Sequence, residues 1–218
     1  MKSNRIYSIY QTLLSSLGAR DWWPADTPFE VIVGAILTQN TNWGNVEKAI
    51  LNLKKFDLLT PEKLTNCSID DLSLLLKPAG YHNIKSNYLK NFSVKFLEDY
   101  NGDISELKQV ETSKLRGWLL SIKGIGEETA DSILIYALGK MVFVVDAYTK
   151  RILSRHNIIK GNLKYREIQS LVEKNLPRDS YVLGEFHALL VEVGKNFCKK
   201  RGQLCNECPL SDINSIKD

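Results

Sequence analysis

Two glycines one residue apart, Gly124 and Gly126, interrupt an apolar pattern in SIKGIGEETADSI, residues 121–133. Trp118, Leu119 and Ile122 precede them, and Ala130, Ile133, Leu134 and Ala137 follow at helical spacing. Glycine takes positive φ without a Cβ penalty, so this pattern predicts two helices joined by a sharp turn. The rest of the chain has the same character. Tyr10, Leu13, Leu14 and Leu17 mark an amphipathic first helix, stopped by Gly18. Thr27, Pro28 and Glu30 form a capping signature before FEVIVGAILTQ, which is apolar nearly all round and therefore central. Further helices follow Asn42, Thr60-Pro61, Ser68 and Gly80, and two more precede the cysteines near the end. Only MVFVV, residues 141–145, has strand composition. It is short and has no evident partner, so it reads as a buried extended connector. The predicted class is all-α.

The 218 residues suffice for one large domain or two small ones, and 44 % hydrophobic content is ordinary for a globular chain. The formal charge is only +4, so a nucleic-acid partner requires basic residues gathered on one face. The first residues show no secretory signal, and no apolar run reaches the roughly 20 residues of a membrane span. The expected location is the cytoplasm. Of four cysteines, Cys198, Cys205 and Cys208 stand together, and Cys67 stands apart. In an intracellular chain that grouping favours a metal over disulfides.

The turn admits two readings. Gly124 and Gly126 leave backbone amides bare at a helix start, which suits a phosphate. The same glycines serve equally as a tight helix–helix turn. Glu127 and Glu128 follow, and acids in a first turn stabilise a helix by about 0.3–1 kcal/mol. That effect accounts for Glu127. Glu128 is a candidate for a further role.

The wider segment LLSIKGIGEETADSILIYALGKMVFVVDAYTKRI resembles the helix-hairpin-helix and following aspartate of the endonuclease III superfamily of DNA glycosylases. The likeness rests on Lys123-Gly124-Ile125-Gly126, the Thr129-Ala130 pair and VVDAY about twenty residues on. VGAILTQNT and C-x6-C-x2-C extend it over most of the chain. It implies two helical domains with a DNA cleft between them. One is a six-helix unit over residues 24–134 that contains the hairpin; the other joins residues 1–23 to 135–218 and carries the catalytic aspartate and a cysteine loop. It implies base-excision repair of double-stranded DNA by a monomer. Bifunctional members place a Schiff-base lysine two residues after the second hairpin glycine. Here that position is Glu128, and a carboxylate forms no imine. The sequence therefore resembles the monofunctional branch without AP-lyase activity. With Trp22-Trp23-Pro24 and TQNTNW it looks most like the 3-methyladenine DNA glycosylases of the endonuclease III type, acting on alkylated purines. Two other readings stand beside this one: a related glycosylase for an oxidised, deaminated or mismatched base, and a non-catalytic DNA-binding module.

Breaking an N-glycosidic bond builds positive charge on the sugar, and one fixed carboxylate can stabilise it or orient water. Asp146 is the catalytic candidate, in a position that also suits an N-cap. Glu128 is the second, its charge favouring a cationic base. A flipped base is read by stacking, and the candidate walls are Trp22, Trp23, Pro24 and Trp43. Gln39 matches the residue that enters the gap left in the duplex. Tyr148 touches the nucleotide or packs. DNA-backbone candidates are Lys123, Gly124, Ile125, Gly126, Thr129, Lys150 and Arg151, with a second basic run at residues 195–201. The cysteines match three of the four ligands of a [4Fe–4S] loop, and the expected fourth position holds Asn214. A cluster with a different fourth ligand, a zinc ion and an empty loop all remain open.

Overall fold

The structure is a computed structural model that describes residues 4–215, with side chains through Ile213. It is all-α, and no strand occurs among the described residues. The helices are α1 (Arg5–Leu17), α2 (Pro28–Leu37), α3 (Trp43–Lys55), α4 (Pro61–Asn66), α5 (Ile69–Leu75), α6 (His82–Tyr100), α7 (Ile104–Gln109), α8 (Thr112–Ser121), α9 (Glu127–Ser132), α10 (Ala147–Arg155), α11 (Tyr165–Asn175) and α12 (Ser180–Asn196). No described helix is long and apolar enough to cross a membrane.

Side-chain caps set most helix starts. Thr27, Asn42, Thr60, Ser68 and Asp146 each accept the amide three residues on, worth about 1 kcal/mol apiece. The Glu30 carboxylate does reach back from α2, but it accepts the amide of Asp26 (3.1 Å) rather than that of Thr27.

The chain divides into two units. One is Trp23–Lys140, here called the hairpin unit, and the other is formed by the chain on either side, here called the terminal unit. The limits expected from the sequence were 24 and 134. Trp23 stands against Trp43 and Tyr136. Lys140 donates through Nζ to the carbonyls of Lys108 (2.6 Å) and Val110 (2.7 Å), closing the end of α7.

The hairpin unit is built around α2, whose residues from Phe29 to Leu37 are all buried. Phe29 meets Phe92 and Phe96 of α6, and Phe92 meets Trp118 of α8. The unit expected as six helices holds the eight segments α2–α9, of which α4, α7 and α9 have six residues each. Of these three, α4 and α9 follow from Thr60-Pro61 and the glycine turn, and α7 is the one that the pattern does not announce. After α9 the chain runs through a π-helical turn, Ile133–Ala137.

In the terminal unit, α10 packs along α12, and α1 packs on α11 and α12. The connector Val142 to Val145 is buried and extended without a partner strand. Buried backbone groups require partners, and α11 supplies them. Glu173 accepts the Phe143 amide (2.9 Å), Gln169 donates to the Phe143 carbonyl (2.6 Å), and the Tyr165 hydroxyl accepts the Val145 amide (3.2 Å). Asp146 is thereby delivered at the end of a rigid strap.

Candidate active site

In the hairpin, Gly124 has φ +104°, and a Cβ there would lie 2.1 Å from the Tyr88 ring. Its lack of a side chain is required by the backbone and by Tyr88 alike. Gly126 is different: its φ is −93°, and a Cβ would meet nothing within 4 Å. Gly126 leaves the start of α9 bare. The turn is tied down from two sides. Gln39 donates through Nε2 to the Gly124 carbonyl (2.9 Å) and the Thr129 hydroxyl oxygen (3.2 Å), and Asn91 donates to the Lys123 carbonyl (3.0 Å). Lys123 and Glu128 are exposed, whereas Ile125 and Thr129 are buried. Thr129 therefore ties the hairpin to the end of α2 through its hydroxyl, and Ile125 packs, so neither offers a side chain to a phosphate. Glu127 also does more than charge a first turn. It accepts from Arg116 Nη2 (3.2 Å), and the same guanidinium holds the buried Asp131 carboxylate through two bonds of 2.6 and 3.0 Å.

Trp23, Trp43 and Tyr136 form an aromatic cluster in this unit. The Trp23 ring is edge-on to Trp43 at 5.2 Å and tilted to Tyr136 at 5.2 Å. It stands over Gly34, where a Cβ would come within 3.2 Å of the indole nitrogen. Asn42 caps α3 so that Trp43 is its first residue. Trp23, Trp43 and Tyr136 are each half-buried, and Pro24 is exposed. Sequence reasoning missed Tyr136 and Gly34. Tyr136 reads as one more apolar residue of a helix, and only the π-helical turn distinguishes it. Trp22 lies in the terminal unit, where Lys195 Nζ stands 5.1 Å over its ring.

Asp146 is 8 % exposed. Its Oδ1 accepts the Thr149 amide (2.7 Å), and its Oδ2 lies 3.6 Å from His187 Nε2 on α12. Burial pushes the carboxyl up; His187 and the Thr149 amide outweigh it and hold the group below the usual carboxylate range. A closed, ionised carboxylate of this kind can stabilise positive charge strongly. Tyr148 packs: its ring occupies the space where a Gly194 Cβ would be, 2.2 Å away. Lys150 is exposed and suited to a phosphate. Arg151 is not, because its guanidinium donates to the carbonyls of Cys198 (2.7 Å) and Gly194 (3.1 Å) and lies over Tyr148.

Cys198, Cys205 and Cys208 line one cavity of about 170 Å³ with Arg155, His156, Phe197 and Leu210. Arg155 Nη1 is 3.2 Å from Cys198 Sγ. Burial, with the Cys198 and Cys205 thiols nearby, pushes the Cys208 thiol up. Among the described residues no group of three or more His, Cys, Asp or Glu is placed to hold a metal ion. A [4Fe–4S] centre would need four thiolates, and these cysteines are three. The expected fourth position, Asn214, has a side chain outside the described residues. The described thiols do not complete the set, and no step of the chemistry is assigned to a cluster.

Residues 33–178 match the HhH-GPD superfamily of base excision DNA repair proteins. The chain belongs to that superfamily. A candidate DNA repair glycosylase of Methanocaldococcus jannaschii is 51 % identical over 98 % of both chains. Endonuclease III of Thermotoga maritima is 30 % identical over 85 % of this chain and 81 % of its own. Among solved structures, the H. pylori 3-methyladenine DNA glycosylase bound to 1,N6-ethenoadenine superposes with a TM-score of 0.75 at 30 % identity, covering 89 % of this chain and 98 % of that one. Endonuclease III in a non-covalent DNA complex shares the fold, with a TM-score of 0.82 at 19 % identity over 98 % of this chain and 95 % of that one. This HhH-GPD protein is accordingly a DNA glycosylase of base excision repair, and DNA is its partner.

Proposed function

We propose that the chain is a monofunctional glycosylase that hydrolyses the N-glycosidic bond of alkylated purines, 3-methyladenine foremost, in duplex DNA. The observation that carries this reading is the aromatic cluster, in which Trp23 stands on Gly34 between Trp43 and Tyr136. An alkylated purine is cationic, and aromatic faces stack on it and add a cation–π attraction. Similarity to a 3-methyladenine glycosylase at 30 % identity supports the same substrate class. In this scheme Trp22 and Pro24 contribute to the pocket rim, Gln39 enters the gap left by the flipped nucleotide, and Lys123, the hairpin amides and Lys150 meet phosphates.

A cationic base leaves without being protonated, so a single carboxylate suffices. Asp146 stabilises the positive charge that develops on the sugar and orients the water that attacks C1′. Glu128 stands where bifunctional members of the superfamily carry a Schiff-base lysine, so the strand is left intact. Its charge favours a cationic base over a neutral one, and the enzyme acts as a monomer. Glu128→Gln is expected to slow release of methylated purines while leaving thermal stability nearly unchanged; release at the wild-type rate would remove this role.

The deciding experiment incubates the protein and its Asp146→Asn variant with duplex DNA carrying methylated purines. Freed bases and strand breaks are measured separately. The expected result is 3-methyladenine release by the wild type alone, with breaks only after alkali. Release by Asp146→Asn at the wild-type rate would overturn the mechanism. Absence of release by the wild type would overturn the substrate class.

A further inference from the structure

The middle of α12 is apolar: Phe186, Ala188, Leu189 and Leu190 are fully buried, and His187 sits among them at 6 % exposure. A histidine in such surroundings costs free energy unless its nitrogens are met. The His187 ring stands edge-on to the buried Phe143, with centroids 6.2 Å apart, and its Nε2 faces Asp146 Oδ2 at 3.6 Å. The other carboxylate oxygen, Oδ1, accepts the Thr149 amide of α10. Asp146 is thus addressed by two elements, one per oxygen.

We propose that His187 is a positioning residue for Asp146, whose imidazole fixes the carboxylate's orientation and favours its ionised form within an apolar enclosure. The proposal rests on the catalytic reading of Asp146. The two effects belong together. A carboxylate closed off from water drifts towards its neutral form, and a neutral acid cannot stabilise a cationic sugar. The direction of the Asp146 shift agrees with this geometry, since burial alone would raise it.

Other charged groups on the neighbouring elements are committed elsewhere. Glu173 of α11 accepts the Phe143 amide. Glu185 of α12 accepts the amides of Arg20 and Asp21, and Glu192 pairs with Arg20. Arg151 of α10 donates to backbone carbonyls of Gly194 and Cys198, and Lys195 lies over Trp22. Tyr165 contacts the Val145 amide. Of these side chains it is His187 whose nitrogen faces Asp146 Oδ2, at 3.6 Å.

The test follows the Asp146 carboxyl directly, by 13C NMR of protein labelled at aspartate carboxyls and titrated with acid, the signal being assigned by its loss in Asp146→Asn. In the wild type the midpoint is expected below the ordinary aspartate value of about 3.9; a midpoint above it overturns the proposal without any variant. In His187→Gln and His187→Phe the midpoint should rise by roughly one pH unit or more, and an unmoved midpoint in a folded variant overturns it. A merely structural histidine would lower stability and leave that midpoint in place. In parallel, single-turnover base release from methylated duplex DNA is measured against pH. The acid limb should move up with the NMR midpoint, more completely in the phenylalanine variant. The two readings fail separately. If the wild type releases no methylated base, the substrate proposal fails and the carboxyl titration still decides the His187 pairing. If Asp146→Asn releases base normally, the catalytic assignment fails and takes the positioning role with it.

Discussion

At Gly124 two independent demands coincide, a left-handed φ and a ring in the space of the missing side chain. Either alone can be met at modest cost; together they cannot be relieved without moving Tyr88 or the turn. Gly124→Ala is therefore expected to destabilise the chain by about 2 kcal/mol or more. Gly126→Ala, with an ordinary φ and open space, should cost less than about 1 kcal/mol, the difference between glycine and alanine as an N-cap. Urea denaturation of the two variants side by side checks this, and equal losses would remove Tyr88 from the argument. The pairing of glycines in the sequence hides this division of labour. Gly124 shapes the turn, and Gly126 leaves room for whatever approaches α9.

Between α8 and α9 the hairpin is braced by an ion pair. Arg116 projects from α8 and Asp131 from α9, and both side chains are almost wholly buried. Arg116→Met leaves the Asp131 carboxylate without its bidentate partner and should cost about 3–5 kcal/mol; the double variant with Asp131→Leu should recover most of it. Thermal denaturation of the single and double variants is the check, and a single variant as stable as the double would show that the pair does not brace the hairpin. Nothing in the local pattern announces this brace, because Arg116 and Asp131 fall fifteen residues apart and each looks like a solvated charge on its own helix. The same limit explains what was and was not legible elsewhere. Helix starts could be read, since a cap acts over three residues: Thr27, Asn42, Ser68 and Asp146 all do what their spacing predicts. The connector before Asp146 could be read as buried, but not the α11 side chains that serve its backbone. Trp23 could be nominated as a wall because it adjoins Trp22 in a loop, and Trp43 because TQNTNW resembles the family's segment. Tyr136 could not, since a π-helical turn depends on packing that no short window records. Arg151 was drawn to phosphate by its charge, while the structure commits it to carbonyls of α12 and the cysteine loop.

Over the whole chain, 29 lysines and arginines nearly balance 25 aspartates and glutamates, so pH acts on stability through a few displaced groups rather than through net charge. Lys85 is the largest of these at alkaline pH. Its side chain is 2 % exposed, its Nζ donates to the Ala79 carbonyl (2.8 Å), and burial lowers its pKa from 10.5 to about 8. Below pH 8 the folded protein carries the full cost of a charged lysine in an apolar place. Between 8 and 10.5 the unfolded chain keeps the proton and the folded chain has lost it, so stability rises with pH in that window. Relaxation around the group leaves a gain on the order of 1–2 kcal/mol. Tyr10 and Tyr181 act in the opposite sense, since both hydroxyls are held above their ordinary value and lose stabilising protons at higher pH. The gain from Lys85 should therefore show most cleanly from about pH 8 to 9.5. Lys85→Met removes the titrating group, so the wild type's denaturation free energy should gain on the variant's across that interval, while the Cys67 and Cys208 thiols, held above their ordinary value, lower both alike. Parallel curves for the two proteins would mean that the ammonium is solvated at the turn before α6 rather than enclosed there.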